Sequence, residues 1–287
     1  MATTTTTLND LLPSIIQEAL FVASEASIMR GLVKNYTLPP ASGKTVNVPI
    51  YPQQTAQSLT EGVALKDHTV TGYANVSTNT ATLTVAEVGI ATQITDLSRI
   101  SSASNVVADV GRLFGEAIAR KMDKDLTALF SSFTTNTVGG NATVLSASLV
   151  FQAVAKLKQA GVPSTDLALV LSPSVAYDLK ANITNTYANP NAGSVSNRAM
   201  EMGYLGMLAG VPVYETANLD NTGTTGDYVG GLFHRDALGL ALLQDISIET
   251  QRNALLRGDD IIATAMYGVG VLYEGYGVAV TADSSIL

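Results

Sequence analysis

Leu205-Gly206-Met207-Leu208-Ala209-Gly210-Val211-Pro212-Val213-Tyr214-Glu215-Thr216 reads as a small-residue turn that feeds a short strand beginning at a proline. Two later runs extend the pattern. Asp227-Tyr228-Val229-Gly230-Gly231-Leu232-Phe233 has the composition of a buried strand, and Tyr267-Gly268-Val269-Gly270-Val271 is a glycine-spaced strand near the chain end. Just upstream, Ser148 to Ala160 has helical spacing and is closed by Gly161 and Pro163. A buried strand follows, Leu167-Ala168-Leu169-Val170-Leu171, and Ser172-Pro173-Ser174 opens a helix that is predicted to run through Lys180. Residues 182–197, rich in Asn, Gly and Ser, read as a loop. Beyond them strands and short helices are predicted to alternate, ending in Gly270-Val271-Leu272-Tyr273-Glu274 and Gly277-Val278-Ala279-Val280. No internal repeat is visible.

The N-terminal half is built differently. From about Ser102 to Phe133, apolar residues recur at Val106, Val110, Leu113, Phe114, Ala117, Ile118, Met122, Leu126, Leu129 and Phe130. Arg112, Glu116, Arg120, Asp123 and Lys124 occupy the other side, with Glu116 four before Arg120 in supporting register. About 30 residues at ~1.5 Å each make a beam of roughly 45 Å, and Gly139-Gly140 is predicted to end the pattern. Before it, Thr45-Val46-Asn47-Val48-Pro49-Ile50-Tyr51 and Thr80-Ala81-Thr82-Leu83-Thr84-Val85-Ala86-Glu87-Val88-Gly89-Ile90 bracket a polar stretch. Two strands joined by a polar tip are expected, with too little apolar surface for a core of their own. Such a ribbon is marginal alone in water, and its open edges invite pairing, so it has to lie on something. Residues 8–33 read as an arm with one helix starting near Pro13 and carrying Ile15, Ile16, Ala19, Leu20 and Ala23 at helical spacing. The polar Thr3–Thr7 run ahead of it calls for a neighbour to hold it.

Composition narrows the function. The chain has 287 residues, is 46% hydrophobic and only 14% charged, where about 25% is usual. So few solubilising groups suit a surface largely covered by other copies. The formal net charge of -8 is concentrated in residues 215–287, which hold 10 acidic and 3 basic residues. No basic stripe is present, so tight electrostatic binding of nucleic acid is not expected. There are no cysteines, which excludes disulfides, thiolate metal sites and cysteine nucleophiles. The N-terminus lacks the charged and apolar regions of a secretory signal, and no apolar run reaches the length of a membrane span.

The case for catalysis is thin. Only two histidines exist: His68 in the polar tip, and His234, which precedes Arg235-Asp236. That tripeptide resembles a kinase catalytic loop, yet Leu240 and Ala241 stand where its asparagine belongs, so a solvated or interface turn is expected. Ser42-Gly43-Lys44-Thr45 imitates the end of a phosphate loop but has Leu38 in place of the first glycine, and a strand follows it. Asp259-Asp260 and Asp123/Asp125 lack a fuller ligand set and read as helix-start and exposed-face charges. The small-residue run Gly203 to Gly210 reads as a packing turn.

Taken in order, these parts resemble the major capsid protein of tailed bacteriophages with the Hong Kong 97-type fold. Ser148 to Gly161, Leu169-Val170-Leu171-Ser172-Pro173 and Gly210-Val211-Pro212-Val213-Tyr214 resemble, respectively, a helix, the strand and turn after it, and a signature strand of the family's axial domain. The resemblance implies an α+β fold divided into an N-terminal arm (1–43), an extended β-hairpin loop (44–95), a peripheral domain with the spine helix (96–141), an α/β axial domain (142–266) and return strands to the peripheral domain (267–287). It further implies a non-enzymatic subunit without cofactors. Many copies would form pentamers and hexamers of an icosahedral head that encloses double-stranded DNA without sequence-specific binding and without a membrane. Such a virion component would be assembled in the host cytoplasm, with scaffolding, portal and decoration proteins as further partners. Because about 40 residues precede the hairpin, scaffolding would come from a separate protein or be absent. Arm and loop would lap over neighbours, which makes Ile15, Ile16, Leu20, Glu61, Lys66, Asp67 and His68 the expected intersubunit contacts. Some family members link a loop lysine to a neighbour's asparagine. Lys66 is the only lysine of the tip, but nothing identifies a partner, and an ion pair is the plainer expectation. The alternatives are a nanocompartment shell of the same fold and, from another class, a cytoplasmic enzyme with a flap-like hairpin.

Overall fold

The computed structural model describes residues 28–39, 41, 43–51, 58, 61–62, 78–101, 106–187, 206–219 and 226–286. In chain order its elements are α1 (Met29–Leu32), β1 (Lys34–Thr37), β2 (Thr45–Ile50), β3 (Asn79–Thr84), β4 (Ala86–Thr95), α2 (Asp96–Ser101), α3 (Val106–Ala128), β5 (Thr137–Val144), α4 (Ala147–Gln159), β6 (Leu167–Leu171), α5 (Pro173–Tyr187), β7 (Met207–Leu208), β8 (Val211–Glu215), β9 (Asp227–His234), β10 (Leu238–Asn253), β11 (Gly258–Val271) and β12 (Gly277–Asp283).

These strands form a six-stranded sheet (β5-β12-β9-β6-β8-β7), a four-stranded sheet (β1-β10-β11-β4) and a two-stranded ribbon (β2-β3). The six-stranded sheet is mixed: β6 and β8 run parallel, as do β12 and β5, while β9 is antiparallel to both β6 and β12. β6 is apolar without interruption because both its faces are covered. Leu167, Leu169 and Leu171 join Val150, Val154, Leu157, Val175 and Leu179 of α4 and α5 in one core, while Ala168 and Val170 belong to the core on the other side.

That second core is organised by α3, about 35 Å long by helical rise. Ile118, Met122 and Leu126, four residues apart, bury onto Leu238 and Leu240 of β10 and Ala263, Ala265 and Tyr267 of β11. The alanines keep the sheet surface low under the helix. A 3-10 turn (Leu129–Ser132) carries the stripe on through Phe130 and Phe133, which bridge to the six-stranded sheet. α4 ends in a Schellman arrangement: Val162 N–H donates to Leu157 O at 3.1 Å and Gly161 N–H to Lys158 O at 3.0 Å, with Gly161 at φ +75°. Gly161 therefore closes this helix as its position predicts.

Four expectations change. Gly139 and Gly140 lie inside β5 rather than in a break. Gly139 sits at φ +82° with its α-carbon against Thr281 O, so the residue needs to be glycine for the close approach of β12. The expected strand 80–90 divides at Val85 into β3 and β4, which belong to different sheets; β4 pairs with β11 and is not part of the ribbon. α5 continues past Lys180 to Tyr187, so the Asn-rich stretch is helical at its start. The described part of the last third has no short α-helices, only single 3-10 turns at Arg235–Ala237 and Glu274–Tyr276. Its bulk is the long pair β10 and β11, of 16 and 14 residues. β10 and β11 join β4 beside the spine helix, and β12 sits inside the six-stranded sheet.

Candidate functional site

The β2–β3 ribbon is a separate two-stranded sheet, paired antiparallel from Thr45↔Thr84 to Ile50↔Asn79. Along β2 every second residue is half-buried, and Val46, Val48 and Ala81 turn toward a small core of Leu38, Leu83, Val85, Ala241 and Leu272. On the opposite face Thr82 Oγ1 donates to Asn47 Oδ1 at 3.0 Å. Among the described residues the ribbon pairs with no third strand, so its stability comes from this root.

Glycines make the root. A Cβ on Gly270 would stand 2.7 Å from Leu83 Cδ2, one on Gly239 3.0 Å from Leu83 Cδ1, and one on Gly268 would run into Thr84 O. Gly239 and Gly270 are partners in the β10–β11 register, and Gly268 pairs with Ala241. Together they leave a track of bare backbone across the four-stranded sheet, into which Leu83 drops. Val85 N–H donates to Lys44 O at 2.8 Å and closes the base of the ribbon, while Leu38 N–H donates to Leu242 O at 2.9 Å and continues the β1–β10 pairing ahead of it. The sequence carried this signal as the spacing of Gly268 and Gly270, but what the glycines accommodate lies almost 190 residues earlier.

Polar ties fix the same frame. Glu274 Oε1 accepts from the backbone N–H and hydroxyl of both Thr134 and Thr135, at 2.7–3.0 Å, which locks the exit of the spine helix to the turn before β12. Those hydrogen bonds hold the Glu274 carboxyl below its ordinary pKa. Arg30 makes a bidentate pair with Asp245, whose carboxyl is held low by that guanidinium. Lys34 reaches Asp236 at 2.8 Å, and that hydrogen bond raises its pKa. Tyr267 donates to Asp125 Oδ2 at 2.8 Å, and burial first, then this carboxylate, push the phenol well above its usual range.

The described residues that imitated catalytic motifs are engaged in local contacts of the fold. His234 is 7% exposed rather than solvated: its Nδ1 accepts from Asp236 N–H at 3.1 Å, and its ring meets Tyr276 edge-on. Asp123 is 1% exposed, not an outer-face charge, and accepts from Ile28 N–H at 2.9 Å. Asp259 and Asp260 lie at the start of β11 rather than of a helix. Asp259 takes Arg252 at 3.3 Å and Asp260 takes Gln93 at 2.6 Å. Gly43 and Lys44 turn the chain into β2. Among the described residues no group of three or more His, Asp or Glu is placed to hold a metal ion, and no helix is long and apolar enough to cross a membrane. A cleft of about 470 Å³ between α1 and the β7–β8 edge has Asp166 and Arg235 as its charged groups.

Of the expected contact residues, Glu61 lies in an exposed turn beside Gly62, which has φ +82°. Ile15, Ile16, Leu20, Lys66, Asp67 and His68 lie outside the described residues.

The architecture has close counterparts. The capsid structure of cyanophage P-SCSP1u superposes with a TM-score of 0.72 at 19% identity, over 91% of this chain and 89% of the other. A structure from Mycobacterium phage Che8 gives 0.70 at 20% identity, over 89% and 91%. The acid-stable capsid structure of Helicobacter pylori bacteriophage KHP30 gives 0.70 at 12% identity, over 90% and 92%. At such identities the likeness is one of fold, and the fold is the Hong Kong 97-type expected from the order of the sequence motifs. No curated protein matches the sequence. A family model described as phage capsid protein matches residues 78–283, from the second ribbon strand through the last strand of the six-stranded sheet. Covering well over half of the sequence and every strand except β1 and β2, that match settles the assignment: the chain belongs to the phage capsid protein family.

Proposed function

We propose that the chain is the major capsid protein of a tailed phage, many copies of which associate as pentamers and hexamers and close an icosahedral head around double-stranded DNA. The observation that carries the reading is the family match across residues 78–283. The rooted ribbon supports it, since a two-stranded ribbon that pairs with no third strand among the described residues is suited to lie on a neighbour. Closed symmetry repeats each such contact many times, so modest interfaces add up to a durable shell.

In this reading the extended loop is the ribbon and its tip, ending at Val85. The peripheral domain is α3 with the four-stranded sheet, and the axial domain is the six-stranded sheet with α4 and α5. Arm residues Ile15, Ile16 and Leu20 and tip residues Glu61, Lys66, Asp67 and His68 make contacts between copies. Scaffolding, portal and decoration proteins are the further partners, assembly takes place in the host cytoplasm, and the head is the final location. With a net charge of -8, the subunit encloses DNA without gripping it. The family and the fold are those of a structural protein, and no catalytic step is assigned.

Negative-stain microscopy with light scattering on the recombinant chain, alone and with a candidate scaffold, tests the proposal. Closed shells, or discrete pentamers and hexamers, are expected. A stable monomer or dimer under both conditions would overturn it.

A further inference from the structure

The six-stranded and four-stranded sheets are joined in two places by 3-10 turns: Arg235–Ala237 leads from β9 to β10, and Glu274–Tyr276 leads from β11 to β12. The two turns lie against each other. Ala237 O accepts from Leu272 N–H at 2.8 Å and from Tyr273 N–H at 3.2 Å, and Tyr276 stacks on Tyr273 with ring centroids 5.0 Å apart. Arg235 ties the first turn to its surroundings: its N–H donates to Asp166 O at 3.1 Å and its Nε–H to Val33 O at 3.4 Å. At the head of that turn stands His234, whose ring meets Tyr276 edge-on with centroids 5.8 Å apart. One imidazole therefore touches both connections.

The hydrogen bond that His234 makes depends on its charge. Nδ1 accepts from Asp236 N–H at 3.1 Å, which needs the neutral ring with its proton on Nε2. A proton taken from solvent makes Nδ1 a donor, and two N–H groups then face each other. Asp236 Oδ2 lies 3.8 Å from Nδ1 and can take the new N–H, while Oδ1 of the same carboxylate holds Lys34 at 2.8 Å. The charged and titratable groups around the ring are Arg235 and Asp236 on its own turn, Lys34 of β1, Asp166 ahead of β6, and Tyr273 and Tyr276 beside the second turn. We propose that His234 is a pH-operated latch between the two sheets: neutral, it caps the Arg235–Ala237 turn; protonated, it leaves the cap for the Asp236 carboxylate and loosens the turn's hold on Leu272 and Tyr273. The ring cannot keep both arrangements, because one uses Nδ1 as an acceptor and the other as a donor. A backbone N–H stripped of its acceptor in a half-buried turn costs about as much as the hydrogen bond itself. The window to search is about pH 5 to 8, where imidazoles ordinarily change charge. The latch belongs to the single subunit and does not depend on assembly.

Hydrogen exchange on the free subunit, corrected for the effect of pH on the intrinsic rate, tests it. Between about pH 8 and about pH 5 the protection of the Asp236 amide should fall about tenfold, the worth of one hydrogen bond. Protection of Leu272 and Tyr273 should fall with it, while Leu169 in β6 and Val154 in α4 keep theirs. The midpoint has to coincide with the titration of the His234 ring, followed by NMR of histidine-labelled protein and identified by its contact with Tyr276. His234→Asn keeps a capping oxygen but cannot take the proton, so its Asp236 amide should stay protected throughout. Protection of Asp236 that does not change with pH would overturn the proposal, as would a loss centred away from the ring's midpoint or an equal loss in the asparagine variant. A loss shared equally by Leu169 and Val154 would overturn it too, since that reports acid unfolding of the whole subunit. If the asparagine variant fails to fold, the wild-type profile and the ring titration still decide.

Discussion

Phe130 lies with its ring across Gly231, at a distance where a Cβ on that glycine would stand 2.6 Å from the ring Cδ1. Phe130 is fully buried and also packs against Phe133 and Phe233, with ring centroids 6.3 and 5.4 Å away. It joins the end of the spine helix to the six-stranded sheet and has no room to withdraw. Gly231→Ala should therefore destabilise the subunit by about 1–3 kcal/mol, the usual cost of overpacking a filled core. Urea denaturation of the free subunit reads this, and an unchanged midpoint would show that the contact is softer than its geometry.

The track under Leu83 makes a more local prediction. At Gly268 an added methyl would meet the backbone oxygen of Thr84, so β3 has to lift rather than a side chain turn aside. Gly268→Ala should speed hydrogen exchange over residues 79–85 while leaving α4, on the far side of the molecule, at its wild-type rate. Equal acceleration in both places would mean that the glycine supports the whole fold rather than the ribbon.

Much of this was legible from sequence because it is local. The α3 stripe, the Gly161 closure of α4 and the two-sided burial of β6 are each written in a few neighbouring residues. What was missed depends on residues far apart. Gly139-Gly140 looks like a break until β12, more than 130 residues later, needs the close approach. The run from Thr80 to Ile90 reads as one strand, and only β11 separates β4 from β3. Asp123 and His234 read as surface groups because their burial is supplied by Ile28 and Tyr276. The exposure of Leu255 left no periodic signal, since an apolar residue in a turn looks the same whether covered or bare.

Tyr267 is buried against the spine helix, and its phenol donates to Asp125 Oδ2. Tyr267→Phe should cost about 1.5–3 kcal/mol, the range for a hydrogen bond to a charged acceptor. The phenol's folded pKa is raised, so the folded state keeps its proton where the unfolded chain begins to lose it. Its contribution is therefore complete below about pH 10 and declines above that. Melting temperatures measured from neutral to strongly alkaline pH should fall less steeply for the phenylalanine variant. Parallel curves would show that the Tyr267 proton is not linked to folding.

Acid should act at Glu274. Its carboxyl is held low by the donors of Thr134 and Thr135, so its contribution is present above the unfolded value, about pH 4.3, and is lost as pH falls through the lower folded value. Glu274→Gln keeps the shape but removes the charge. The variant should melt below wild type at neutral pH, and the gap should close as pH drops below about 4. Because the group is exposed, screening limits the effect to a small shift in melting temperature. A gap that stays constant with pH would assign the loss to geometry rather than to charge.

Removal of residues 55–72 separates folding from assembly. Among the described residues the three apolar clusters are formed outside that span, and the ribbon's own rungs, Thr45–Ile50 with Asn79–Thr84, are retained. About ten residues then remain between Ile50 and Asn79, ample for a connection between paired strand ends. The shortened subunit should accordingly be soluble and melt like wild type. If the tip laps over a neighbour, each shell loses that contact at every subunit, and a small deficit per copy is multiplied by the closed symmetry. Light scattering and microscopy should then show no stable shells under conditions in which the full chain forms them. Normal particles would remove the tip from the assembly contacts, and failure to fold would place it in the subunit's own stability instead.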